Sequence, residues 1–200
     1  RLYSRWGVDE SGRMVSVAAF DLRTGRMIWS AADDPELEGL RFATDPVLSD
    51  GRLYLLAFEE RNRTFTLYLV CLDAESGELI FKRLLGHRGW GGWINVPGMI
   101  DIASFGGGLA ARYGMVCGSS EMGFLFCADA PDGLVRWAHV PPGTTEVLSF
   151  FPSRESPPVI AGDRIAFLPR DHQSLICLDA QGGGPIWESK SAAYREIVGA

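Results

Sequence analysis

The sequence predicts an all-β fold of repeated small antiparallel sheets, and three observations predict it. The first is an eleven-residue frame that occurs four times. It opens with Ala19-Phe20-Asp21 and closes through Gly25 on Trp29. It returns as Cys71-Leu72-Asp73 with Gly77 and Phe81, Cys127-Ala128-Asp129 with Gly133 and Trp137, and Cys177-Leu178-Asp179 with Gly183 and Trp187. The second is spacing: the Asp residues lie 52, 56 and 50 positions apart, which marks an internal repeat of supersecondary size. The third is an independent pattern of Pro, an apolar triplet, a Gly turn and a strand. It runs from Pro46 to Leu53 and, with the same spacing, from Pro158 to Ile165. Units of about 40–50 residues with four short strands are β-propeller blades. The chain is therefore read as a single propeller domain over 1–200, with about four four-stranded antiparallel blades at 1–30 (incomplete), 42–85, 97–140 and 156–190.

Each frame carries its own turn chemistry. Asp at a strand end accepts hydrogen bonds from the N–H groups that follow it. Gly four places later adopts a positive φ at little steric cost, and a second strand returns to the aromatic residue as a hairpin. In the first unit, 1–6 and 13–21 pair around 7–12, with 26–30 as the outer strand and 31–41 as an acidic connector. In the second, 45–50 opens, 53–59 turns through 60–63 and 65–72 returns, and a connector follows over 86–95. The third opens within 98–112, carries Gly106-Gly107-Gly108, and turns at 119–123. The fourth follows a Pro-rich connector, 141–158, and turns at 170–173; the tail 188–200 leads onward and could form a short helix. Arg1-Leu2-Tyr3 matches Arg52-Leu53-Tyr54 inside a blade, so the chain is expected to be a segment of a longer protein, with the remaining blades elsewhere in the parent.

The frame resembles the tryptophan-docking motif of the quinoprotein, or PQQ-like, propeller repeats. In style it is nearest the non-catalytic propeller of the outer-membrane β-barrel assembly lipoprotein. The first copy matches with Ala19, Asp21, Thr24, Gly25 and Trp29. The resemblance implies that Trp29, Trp137 and Trp187 pack on the small first residue and the Gly region of a neighbouring blade, with Phe81 as a weaker substitute. It also implies an extracytoplasmic location. The recurring Asp21, Asp73, Asp129 and Asp179 then belong to turns rather than to a catalytic set.

Composition narrows the function. A net charge of −6 offers no basic stripe for nucleic acid, and no stretch approaches the ~20 apolar residues of a membrane span. Cys71, Cys127 and Cys177 occupy the small position of the frame and read as buried hydrophobes. Cys117 lies on the strand before Cys127, and a disulfide between hairpin neighbours stays open, subject to geometry. No Cys or His spacing suggests zinc, and no nucleophile elbow or phosphate loop occurs. Asp33-Asp34 with Glu36 is a thin calcium candidate and reads better as a solvated loop. Asn62-Arg63-Thr64 fits the N-glycosylation triplet.

Alternate turns of a four-stranded blade fall at opposite ends. The Asp/Gly turns share one end with the first turns, such as Asp50-Gly51, and the remaining turns and the connectors gather at the other. Binding residues favour such loops. The foremost ligand candidate is His87-Arg88-Gly89-Trp90-Gly91-Gly92-Trp93, where two indoles, a cation and an imidazole could stack a flat or sugar-like ligand; plugging the space between blades is the plainer role for Trp90 and Trp93. Arg170, Asp171 and His172 form a second candidate tip. The expected function is a non-catalytic scaffold or binding module for a protein partner or small ligand, with no cofactor. The alternative is a fragment of a dehydrogenase using pyrroloquinoline quinone (PQQ) and Ca²⁺. Cofactor-using members of the family carry a ring of adjacent cysteines, and no adjacent pair occurs in this sequence.

Overall fold

The computed structural model describes residues 1–8, 10, 14–62, 64–89, 107–120, 125–139, 156–168 and 174–190. Every element among them is a β-strand. The residues fall into two compact units, Arg1–Ser104 and Phe105–Ala200. In the first unit, β1 (Leu2–Val8), β2 (Met14–Phe20) and β3 (Met27–Ser30) form a three-stranded antiparallel sheet. The second sheet is β4 (Arg41–Phe42), β5 (Val47–Ser49), β6 (Arg52–Arg61), β7 (Thr64–Asp73) and β8 (Leu79–Gly89), with β4 and β5 both paired to β6. In the second unit, one sheet holds β9 (Gly107–Arg112), β10 (Met115–Ser120), β11 (Leu125–Asp129) and β12 (Val135–His139). The other holds β13 (Val159–Ala161), β14 (Arg164–Phe167), β15 (Ser174–Asp179) and β16 (Pro185–Lys190). All-antiparallel sheets of this size, in sequence order, are the blades of a β-propeller.

Burial explains why the inner strands read as unbroken apolar runs. Leu53, Leu55 and Ala57 of β6 pack with Val17, Val70 and Leu72 in the core of the first unit, and the alternate residues Tyr54, Leu56 and Phe58 are buried as well. A strand covered on both faces has no polar face to keep. The connector 31–41 contributes too: Leu37 and Leu40 reach the same core through successive turns. In the second unit Met115, Cys117, Cys127, Ile165, Phe167 and Leu178 form the corresponding core.

Two features of the first unit depart from the sequence expectation. The opening strand of the second sheet begins earlier and is broken. Between β4 and β5 the Thr44 hydroxyl accepts the Leu56 N–H at 2.9 Å. Arg5 donates to the freed carbonyls of Phe42 (3.3 Å) and Ala43 (3.2 Å) and pairs with Asp45 at 3.0 Å. Next, β8 runs on to Gly89, so residues 86–89 are strand and not connector. The cause is the β6–β7 hairpin, ten residues a side, which offers β8 a ladder to its tip. At the other end of the chain β16 takes 188–190 as strand, while 191–200 lie outside the described residues.

The four frames fold alike. Gly25, Gly77, Gly133 and Gly183 all have positive φ, and each donates its N–H to the carbonyl of its Asp at 2.8–2.9 Å. Asp21 Oδ1 accepts the N–H groups of Arg23 and Thr24 and the Thr24 hydroxyl; Asp73 does the same with Glu75 and Ser76. Asp179 accepts from Gln181 and Gly182. In the third copy Pro131 has no N–H to offer, and Asp129 Oδ1 accepts the Arg136 Nε–H at 2.7 Å. A one-residue bulge follows in every copy: Ile28, Ile80, Arg136 and Ile186 are the extra residues just before the aromatic. A bulge re-aims the side chain beside it, here the indole.

The indole then meets the next sheet. A Cβ on Gly77 would lie 2.5 Å from Trp29 Cε3, and one on Gly183 2.6 Å from Trp137 Cδ2. The indole N–H groups donate to the carbonyls of Ala74 (3.4 Å) and Ala180 (3.1 Å). The resemblance implied a small residue of the neighbouring blade against each indole. Within its own sheet each indole also stands in register with the small residue of its frame, Ala19 with Trp29 and Cys127 with Trp137. Trp137 is 9% exposed, Trp29 half-buried, and Phe81 buried beside Tyr54. Trp187 holds the same register place opposite Cys177, and it is 42% exposed.

Three outcomes follow from this geometry. Gly25→Ala meets nothing within 4 Å and should cost only the backbone penalty of about 1–2 kcal/mol. Gly77→Ala should cost a further ~1–3 kcal/mol for overpacking, as denaturant titration of both variants would read; equal costs would exclude the contact. Trp137→Ala should destabilise by about 3–5 kcal/mol, and Trp187→Ala by much less. The carboxyls of Asp21 and Asp73 are held below their usual value, Asp21 first by the Thr24 hydroxyl and Asp73 first by the Ser76 N–H. A lowered folded pKa stabilises the fold above the unfolded value of about 3.9 and is lost as pH falls through the folded one. Melts of the Asp21→Asn, Asp73→Asn double variant should therefore weaken less below about pH 4 than those of the parent.

Candidate functional site

The two ends of the sheets differ in what their polar groups do. At the Asp/Gly end the first turns and the frame turns are joined by backbone bonds: the N–H groups of Ala74, Ala130 and Ala180 donate to the carbonyls of Gly51, Gly114 and Asp163 at 2.8–2.9 Å. Asp50-Gly51 and Tyr113-Gly114 both have two positive φ values, the type I′ geometry of two-residue hairpins. The alanine after the Asp thus takes one bond from the turn beside it, and Ala74 and Ala180 also receive an indole. The sequence carried this signal unread: copies two to four have Asp-Ala, while the first copy has Asp21-Leu22, and Leu22 is exposed.

At the opposite end of the second sheet stand two of the candidate ligand residues. His87 lies exposed on β8 opposite Thr66, and Arg88 pairs with Phe65. The register sets both close to the Asn62 hairpin tip, where Asn62 itself has positive φ and is exposed. Glu59, near the same tip, pairs with Arg61 at 3.6 Å and accepts from the Tyr68 hydroxyl at 3.5 Å. Trp90, Trp93, Arg170, Asp171 and His172 lie outside the described residues. Ser119 and Ser120, expected in a turn, complete β10 instead. Both are buried, and neither hydroxyl has a hydrogen-bond partner among the described residues. Their register partners, Gly108 and Gly107, supply no side-chain acceptor.

The thiols and carboxylates define what the described residues can do chemically. Burial pushes the Cys71 thiol up to about 12 and raises Cys177 as well. Cys117 donates to Cys127 across 2.9 Å; that shared proton raises Cys117 and lowers Cys127. Asp34 Oδ1 accepts the Glu36 N–H at 2.9 Å and so caps a turn of its own connector. No group of three His, Cys, Asp or Glu side chains among the described residues is arranged to hold a metal ion.

Comparison with known proteins fits this geometry. The family model described as outer membrane protein assembly factor BamB matches residues 13–91. No curated protein matches the chain by sequence. Among solved structures the chain is similar to BamB from Moraxella catarrhalis, at 14% identity over 89% of this chain and 43% of that one, TM-score 0.55. It is also similar to a europium-containing methanol dehydrogenase, at 11% identity over 90% of this chain and 39% of that one, TM-score 0.58. A quinohemoprotein alcohol dehydrogenase from Comamonas testosteroni is similar at 14% identity over 95% and 36%, TM-score 0.53. The chain spans about two fifths of the length of these structures, and at such identities the likeness is one of fold. The model match over 13–91 and the structural likeness together show a β-propeller built of PQQ-like, BamB-like repeats.

Proposed function

We propose that this chain is part of a non-catalytic propeller scaffold that binds a protein partner through the ends of its sheets opposite the Asp/Gly turns. The observation that carries the reading is the contrast between the two ends. At one, the recurring carboxylates accept hydrogen bonds within their own turns. At the other, His87 is exposed and two buried serine hydroxyls lack partners among the described residues. The match of 13–91 to a model described as an outer membrane protein assembly factor supports a protein partner and an extracytoplasmic setting. The acidic balance of −6 disfavours nucleic acid. The dehydrogenases that share the fold keep a quinoprotein fragment as the second reading.

Two experiments separate these. Calorimetric titration with PQQ in the presence of Ca²⁺ should give no saturable heat; Ca²⁺-dependent saturation would transfer the chain to the dehydrogenase reading. A photo-crosslinking residue at His87 should capture a protein partner in bacteria expressing the protein, and one at Arg23, in an Asp/Gly turn, should not. Equal capture at the two positions would refute the assignment of the binding end.

A further inference from the structure

The sheet of β9–β12 carries a pair that the other sheets lack. Its register sets Ala110, Cys117, Cys127 and Trp137 in one row across four strands. In the matching rows Cys71 faces Tyr54 and Cys177 faces Ala166. Only in this sheet are two thiols direct cross-strand partners. The ladder fixes what kind of partners they are. The Ala130 N–H bonds the Gly114 carbonyl at 2.9 Å, so that pair is of the hydrogen-bonded type. Alternation then makes Cys117–Cys127, three places along, a non-hydrogen-bonded pair. Such pairs hold their Cα atoms about 4.5 Å apart, within the roughly 4.4–6.8 Å that a disulfide spans. The two sulfurs already lie 2.9 Å apart, both thiols free and both fully buried.

We propose that Cys117 and Cys127 are an oxidation site, forming a cross-strand disulfide that ties β10 to β11 in the row of the Trp137 indole. The reaction is exchange with a low-molecular-weight disulfide. The Cys127 thiolate attacks one sulfur of that disulfide, a mixed disulfide forms and one small thiolate leaves. Cys117 loses its proton and attacks the Cys127 sulfur; the bond to the small thiol breaks and the second thiolate leaves. The two cysteines give up two protons and two electrons, and the small disulfide ends as two thiols. Burial confines the exchange to the unfolded chain or to an opened hairpin. Cys71 and Cys177, each alone in its row, have no partner for the second step.

The test is to refold the protein in a buffer of reduced and oxidised glutathione, quench with acid, and alkylate under denaturing conditions. Peptide mapping should find Cys117 linked to Cys127 and Cys71 and Cys177 alkylated. Adding reductant should lower Tm by at least about 4 °C. The Cys117→Ala, Cys127→Ala double variant should lose that dependence and Cys71→Ala should keep it. Four alkylated cysteines, or a crosslink through Cys71 or Cys177, would overturn the proposal, and neither result depends on a variant folding.

Discussion

One contact sets the rest: an indole laid against a glycine of the next sheet, its N–H on the carbonyl three residues upstream of that glycine. The contact needs several things at once. The glycine must lack a Cβ, because one would sit about a bond length and a half from the ring. It must also turn with positive φ. The carbonyl must face the incoming indole, and the alanine that bears it is held in place by its N–H on the neighbouring first turn. The Asp keeps the loop tight enough to present both. A change to any one of these disturbs the others, which is why the frame recurs as a unit.

Direction is built into this joint. Within each unit the earlier sheet supplies the ring and the later one the glycine and the carbonyl. In each of the two units the first sheet is therefore read by the second. Stability of this kind is nearest-neighbour in character, as in other repeat proteins.

Much of the fold was legible because these demands fall on residue types with few substitutes. Asp, Gly and Trp at fixed offsets gave the hairpins, and Pro46 and Pro158 marked the opening strands. Three things escaped. The bulge before each aromatic leaves no residue signature, since Arg136 serves as well as Ile28; only the constant interval from Gly to Trp encodes it. The extension of β8 past Leu85 depends on the length of its partner hairpin, a non-local fact. The alanine after each Asp was visible in three copies, and its meaning required knowing that an indole from another sheet arrives there. The ligand candidates were read from loop chemistry alone, and His87 and Arg88 turned out to be strand residues because pairing outcompeted the local glycines.

The bulges have one more effect. Each lies on the outer strand of its sheet, where unpaired N–H and C=O groups face outward and could template association with another copy. An extra residue breaks the two-residue rhythm of that rim and twists it out of line. On β16, where Pro185 precedes the kink and Glu188 and Lys190 follow it, the missing N–H and the charges act in the same sense. The device that aims the indoles inward thus also guards the periphery against edge-to-edge aggregation.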